Sequence, residues 1–327
     1  MNISFNLQPQ IYNYQTTKQT VNTKPMLSSQ PERDVFVRQN SNAVSFGHSQ
    51  GISKSLKRIR KHHDDLLQHM NMPVEKWLKQ FDSNKDRSIA LKILSSFEYI
   101  SQEKARSIFA RMHKQLLERP DFDINKTAFT YMGEAKSGAV MGYYYSQAAK
   151  FREKGPAYKG NDLNQRMFSM SKLEKMGVFD KDSEVNTLVI VDDMIDNGNS
   201  IQEFLSPKFA EQLKSMDKVY FITLLANPEG VAKIKQQIPN IEFITHKEIH
   251  KYDSPKCTRF SKKDKHEIRE FIHKYSKKIE PKEVNKFKDS KIFVTFDWNT
   301  PGNTPMPFCY SKPGVWEPLF KRYNGLM

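Results

Sequence analysis

Short runs dense in β-branched and aromatic residues recur at 127–132, 187–191, 219–225, 241–244 and 292–296, and segments long enough for crossover helices separate the first four. Few folds are open to a chain patterned in this way. Parallel strands need a dozen or more residues between them, usually a helix. Strands that are apolar along their whole length, rather than at alternate positions, are those covered on both faces. The pattern therefore predicts an α/β fold, a parallel sheet with helices on both faces. No internal repeat is present.

The segments around these runs divide the 327 residues into four parts. Residues 1–50 are rich in Asn, Gln, Ser and Thr, with apolar residues scattered singly. Burial there cannot offset the entropy of ordering, so a disordered leader is expected. No continuous apolar stretch follows Met1, which argues against a secretory signal. Over 51–125 an all-helical region is expected. A basic amphipathic run spans 53–69, with Leu56, Ile59, Leu66 and Leu67 at helical spacing, and Pro73 then opens a helix carrying Trp77, Leu78 and Phe81. A third helix is expected over 88–97. Ser101 caps a fourth, whose stripe is Ala105, Ile108, Phe109, Met112 and Leu116. Residues 126–250 hold the sheet. Residues 251–327 hold a basic helix around Ile268, Phe271, Ile272 and Tyr275, then a cap rich in Pro and aromatic residues.

Hydrophobic residues make up 38% of the chain, enough for a sizeable core, yet no run approaches the roughly 18 apolar residues that cross a bilayer. Two cysteines, Cys257 and Cys309, make neither a disulfide framework nor a zinc site, which suits a reducing, cytoplasmic setting. Lys plus Arg number 52 against 37 Asp plus Glu, a net charge of +15 that calls for anionic partners, phosphorylated small molecules or nucleic acid among them. Nearly half of that excess lies in 247–291, although acids are interleaved there and no known nucleic-acid module is present.

Chemistry concentrates where one strand ends. In Val189-Ile190-Val191-Asp192-Asp193-Met194-Ile195-Asp196-Asn197-Gly198-Asn199-Ser200 an apolar strand leads to two acids, then to a turn with a third acid, a glycine and a hydroxyl residue. In a parallel sheet the carboxyl ends of the strands face the ligand crevice. A glycine-containing turn into a helix offers unpaired N–H groups to a phosphate. Adjacent acids beside such a cradle suit the vicinal hydroxyls of a sugar or a hydrated Mg2+. A second strand, Phe129-Thr130-Tyr131-Met132, leads into Gly133-Glu134-Ala135-Lys136-Ser137-Gly138 and a helix over 139–151.

These two elements resemble the type I phosphoribosyltransferases, in the order that family keeps. The run from Val189 to Ser200 is similar to the family's loop for 5-phosphoribosyl diphosphate (PRPP). The resemblance implies that Asp192 and Asp193 hold the ribose hydroxyls and steer Mg2+ through water, and that Asp196 serves as base or charge stabiliser beside the nucleophile. It also implies that Asn197, Gly198, Asn199 and Ser200 wrap the 5′-phosphate. Asn197 stands where the family usually has Thr, and Asn199 where it has Gly or another small residue. Glu134, Ala135, Lys136, Ser137 and Gly138 match the loop that carries pyrophosphate on backbone N–H groups. The strand–helix step at 219–231 is similar to that of uracil-type members. The helical lead-in around Trp77, Gln80 and Phe81, with the closing segments 299–307 and 316–320, resembles more narrowly the phosphoribosyltransferase-like proteins of bacterial conflict systems.

By this resemblance the chain is expected to move a phosphoribosyl group from PRPP to a nitrogenous acceptor, with Mg2+ as cofactor and release of pyrophosphate. The alternative is a binding module that senses PRPP or a nucleotide in a regulatory or defence role, with nucleic acid as a further partner. Residues 158–170, polar and between the two motifs, are the candidate for a flexible catalytic loop. Phe296, Trp298, Phe308 and Trp316 could form a hood over a base, or simply pack the Pro-rich tail. Rival readings of the acids fare worse. Asp192, Asp193 and Asp196 also spell the DDxxD of prenyl-transferring enzymes, but that motif sits on a helix, whereas here a β-branched run precedes it and Gly198 follows. A calcium loop starting at Asp82 fails because Arg87 stands at the glycine position and Ile93 at the bidentate Glu. His62, His63, His246 and His250 lack companion ligands and read as surface histidines.

Overall fold

The computed structural model describes residues 57, 59, 64–133, 137–149, 167–199, 207–284, 291–320 and 322, all within one compact unit, 48–327. The leader expected over 1–50 lies outside them. Helices come first: α1 (Asp64–Gln68), α2 (Val74–Leu78) and α3 (Asn84–Leu94), then a short strand β1 (Glu98–Ile100) and α4 (Gln102–Leu117). Next are β2 (Thr127–Tyr131), α5 (Ser137–Ala148), β3 (Met167–Phe168), α6 (Met170–Lys175), β4 (Thr187–Ile195), α7 (Pro207–Ser215), β5 (Lys218–Ala226), α8 (Pro228–Gln237) and β6 (Ile241–Glu248). The long helix α9 (Lys262–Ile279), strand β7 (Val294–Phe296) and α10 (Met306–Cys309) complete the chain. Among the described residues no helix is long and apolar enough to cross a membrane.

Helix starts follow local chemistry. Ser83, Ser101, Ser169 and Ser261 each accept a backbone N–H of the following turn, and at Ser261 the Asp264 side chain completes a capping box. Asn227 caps α8, with Pro228 at its first position.

The expected sheet is present. Five parallel strands run in the order β3-β2-β4-β5-β6. Strand pleating sends alternate residues to opposite faces. Val189 and Val191 thus join the core under α4 and α5, with Phe109, Met141, Tyr145, Tyr220 and Ile222. Leu188 and Ile190 join the core under α6, α7 and α8, with Leu173, Leu213, Phe221 and Ile234. Both faces are covered, which is why the strands read as unbroken apolar runs.

Three local expectations need correction. The span read as entirely helical contains β1, which pairs with β7 in a separate two-stranded parallel sheet, so the run at 292–296 does not join the main sheet. The helix expected over 88–97 starts and ends earlier, because Ser83 caps it and the chain must turn into β1. Strand β4 does not stop before the acids. It continues to Ile195 because β5 keeps pairing with it, Asp192 opposite Thr223 and Ile195 opposite Ala226. Of the candidate flexible loop over 158–170 only 167–170 is described, as β3 and the first residue of α6.

A third core joins the N-terminal helices to the C-terminal segment: Trp77, Phe81, Leu91 and Ile93 pack with Phe271, Tyr275, Phe308 and Trp316. The indole N–H groups of Trp77 and Trp316 both donate to the Pro307 carbonyl, at 3.1 and 3.0 Å.

Candidate functional site

β2 and β4 are hydrogen-bonded neighbours, so the loops leaving their carboxyl ends lie side by side. Tyr131 is in register with Val191, and the Met132 N–H donates to the Val191 carbonyl at 3.1 Å. Gly133 turns the chain with φ of 69°. The first turn of α5 then presses on the strand end: a Cβ on Gly138 would lie 1.8 Å from the Met132 oxygen, so no other residue fits there without moving backbone. This contact brings the Ser137 hydroxyl near the Asp193 carboxylate, where it favours the ionised form. Of the loop expected to carry pyrophosphate, Ser137 and Gly138 form the first residues of α5 at this strand end, while Glu134, Ala135 and Lys136 lie outside the described residues.

The two adjacent acids are strand residues rather than turn residues, and the pleat sends them apart. Asp192 follows Leu188 and Ile190 and is buried, 8% exposed; Asp193 follows Val189 and Val191 and is half-buried. The Trp298 indole N–H donates to Asp193 Oδ2 at 3.1 Å. Burial pushes the Asp193 carboxyl above the ordinary carboxylate range, and the bonds from Trp298 and Ser137 pull it partly back.

Asp196 is buried beyond the strand end. The Asn227 amide donates to its Oδ1 at 3.2 Å, and the Asn303 amide donates to its Oδ2. Burial also raises this carboxyl, with Asn227 and the charge of Lys251 opposing and the charge of Glu229 adding. The turn that follows is fixed twice. The Asn199 N–H donates to Asn197 Oδ1 at 3.0 Å, and Gly198 takes φ of 77°, a region that L side chains rarely adopt. Helix α8 seals it from below: a Cβ on Gly230 would come 2.3 Å from the Asp196 oxygen, and the Asn227 N–H donates to the Ile195 carbonyl at 2.7 Å. Ser200 lies outside the described residues.

In the segment after β7 the sequence offered Trp298 as one of four hood candidates, but it did not single out Asp297 or Asn303. Asp297 accepts from the Gln102 N–H at 2.8 Å and from the Tyr99 hydroxyl, and lies 3.2 Å from His69 Nδ1. With its neighbour anchored in this way, Trp298 stacks on Phe296 at 4.7 Å and meets the Tyr144 ring edgewise at 5.7 Å while its N–H reaches Asp193. Five residues on, Asn303 reaches Asp196. Of the four aromatics offered for a hood, Trp298 lies at Asp193 with Phe296 packed behind it in the core, whereas Phe308 and Trp316 are buried with Trp77 and Phe81 in the other core. The signal for Trp298 was present in the aromatic tail. Nothing in the spacing pointed to Asn303 or Asn227.

Among the described residues no group of three His, Cys, Asp or Glu side chains could hold a metal ion alone. The donor set fits Mg2+ only as an ion carried by a ligand's phosphates and met by the acids through water.

A parallel sheet whose acid-tipped strand and glycine-pinned turn face a second turn from the neighbouring strand defines a type I phosphoribosyltransferase-like protein. The chain belongs to the PRTase-CE family, whose model matches residues 74–322. That span takes in the N-terminal helices and the Trp298–Asn303 segment as well as the sheet. No curated protein matches the sequence. Similar solved structures include the AQ2163 protein from Aquifex aeolicus, at 14% identity over 57% of this chain and 84% of that one, with a TM-score of 0.25. The Helicobacter pylori xanthine-guanine-hypoxanthine phosphoribosyltransferase matches at 14% identity over 46% and 85%, with a TM-score of 0.27. A hypothetical protein from Neisseria gonorrhoeae with bound ppGpp matches at 9% identity over 53% and 96%, with a TM-score of 0.28.

Proposed function

We propose that the protein transfers a 5-phosphoribosyl group from PRPP to a nitrogenous acceptor. The observation that carries this reading is the pairing of β2 with β4 up to the Met132 N–H and the Val191 carbonyl, which sets the start of α5 beside Asp193. Such a pairing supports a pyrophosphate loop before α5 working beside a ribose-binding acid at the end of β4. In the reaction the bond from C1′ to the diphosphate oxygen breaks, its electron pair leaving with pyrophosphate, and a bond from C1′ to the acceptor nitrogen forms. Positive charge grows on the ribose in between, and Asp192 and Asp193 hold the hydroxyls and oppose that charge. Asp196, its affinity for protons raised by burial, receives the proton that the acceptor nitrogen loses. Amides of the Asn197–Ser200 turn take the 5′-phosphate, and Lys136 with the loop before α5 takes the pyrophosphate. The chemistry that bound Mg2+ supplies is neutralisation of the diphosphate charge, with Asp192 and Asp193 meeting it through water.

One observation favours a second reading, a PRPP- or nucleotide-sensing module. Both oxygens of Asp196 already accept amide bonds, an arrangement that holds a base back as readily as it positions one. Calorimetry with PRPP and MgCl2, followed by a pyrophosphate assay with a panel of bases and amines, separates the two. Binding with turnover supports the transferase; binding with no pyrophosphate from any acceptor supports the sensor. Unchanged PRPP affinity in D192A/D193A would sink both.

A further inference from the structure

The excess positive charge of 247–291 is interleaved with acids, which by itself describes a solvated helix. The structure sorts the paired and the unpaired charges to different sides of α9. At 100° per residue, Ile268, Phe271, Ile272, Tyr275 and Ile279 form the buried stripe. On the flank beside it, charges are matched with the N-terminal helices. Asp264 pairs with Lys92 at 2.6 Å, Glu267 with Lys85 at 3.6 Å, Lys274 with Asp86 at 2.9 Å and Lys278 with Asp82 at 2.7 Å. What remains on the outermost stripe is Lys262, Lys263, His266, Arg269, Glu270, His273 and Lys277, every one of them exposed. Four fixed cations and two histidines there face a single acid. Lys262, Lys263, Arg269 and Lys277 make no ion pair among the described residues, and Arg269 lies near enough to the Tyr252 hydroxyl to favour its ionised form.

From Lys262 to Lys277 the stripe runs about 22 Å at 1.5 Å per residue. Within the helix it bears no Phe, Tyr or Trp side chain, since Phe271 and Tyr275 are both buried. Single strands are gripped by aromatic stacking platforms, which this face lacks. A line of cations without stacking groups or base-reading side chains suits the phosphates of a duplex.

We propose that the outer face of α9 is a sequence-independent docking surface for double-stranded nucleic acid, argued with duplex DNA as the occupant. The proposal concerns a face built on the third core rather than the sheet's crevice, and it stands whether or not PRPP is turned over.

Fluorescence anisotropy of the full chain with a labelled duplex of about 24 base pairs and arbitrary sequence tests it. Affinity should fall as salt rises, with a log–log slope of roughly −3, because about three or four phosphates are neutralised. K262E/K277E should weaken binding by about tenfold or more. K172E/K175E on α6 changes the net charge equally and should leave binding within about twofold. Circular dichroism melts of both variants show whether each is folded. Equal weakening by the two variants would mean that net charge alone governs binding, and would overturn the assignment to α9. So would tighter binding of a single strand of the same length, or release of the duplex by equimolar polyglutamate, which would point to an acidic protein partner. Comparable binding of duplex RNA supports the same phosphate chemistry.

Discussion

The seam between α3 and α9 and the tip of β4 both bury carboxylates, but they treat them in opposite ways. In the seam, each acid meets a cation. Asp86 accepts from Lys274, the Tyr275 hydroxyl and the Ser83 hydroxyl, and these bonds hold it below the ordinary range despite its burial. Asp82, between Lys274 and Lys278, is lowered to about 2. At the β4 tip the direct hydrogen-bond partners are neutral. Asp193 has an indole and a hydroxyl, and Asp196 has two amides, so desolvation wins and both carboxyls are raised. Buried acids that serve stability alone are paired with a cation, because an unpaired buried charge is costly. Acids left with neutral donors keep their charge available for something that is not part of the chain. That difference is the one a ligand site at the β4 tip, as proposed, would require.

The sharpest way to break this contrast is to remove charge at each place while keeping shape. D193N and D196N should each lower turnover of PRPP by at least about 100-fold, about 2.7 kcal/mol of transition-state stabilisation. Neither should lower the midpoint of urea unfolding, because an amide escapes the desolvation that raises the native carboxyl. D86A should do the reverse. It leaves Lys274 and the Tyr275 hydroxyl short of a partner and should destabilise the chain by about 2 kcal/mol, with PRPP affinity unchanged. Should D193N prove as destabilising as D86A, the acid would be structural and the contrast would fail.

Much of this site was legible in the chain. The unbroken apolar run before Asp192, the three acids and Gly198 are local, and local patterns survive in sequence. Three things were not. Aspartates are poor strand formers, so the run appeared to end at Val191; pairing with β5 overrides that preference as far as Ile195. Three residues of β1 carry too little pattern to register, and they hold a strand only because β7 lies beside them. Trp298 and Asn303 are separated from their acids by 105 and 107 residues, and no periodicity reports a contact of that range.

A pH series sharpens the comparison, because the two regions should respond with opposite signs. Asp82 is lowered from 3.8 to about 2, so its contribution is complete above pH 4 and is lost as pH falls toward 2. Asp193 and Asp196 are raised, so the folded state holds their protons more tightly. They favour folding at acid pH and lose that benefit as pH rises through their folded values. Urea unfolding from pH 2 to 7 should show D82N with a shallower acid limb than wild type. D193N should lose less stability than wild type as pH rises above 4. A common slope in all three proteins would contradict the assigned directions.

The smallest expected effect tests how Asp193 is held. W298F keeps a ring to stack on Phe296 and meet Tyr144 but removes the indole N–H that donates to Asp193. The larger of the two side-chain contributions opposing desolvation is then gone, so the carboxyl should rise further and ionise at higher pH. Turnover should fall by about threefold to tenfold near neutrality and recover as pH increases, with the acid limb of its pH profile displaced upward. W298A, which also removes the packing on Phe296, should show the same displacement with a larger loss in KM. If W298F lowers turnover uniformly across pH, Trp298 shapes the crevice without tuning the acid. The distinction between acids held by cations and acids held by neutral donors would then rest on burial and on Ser137 alone.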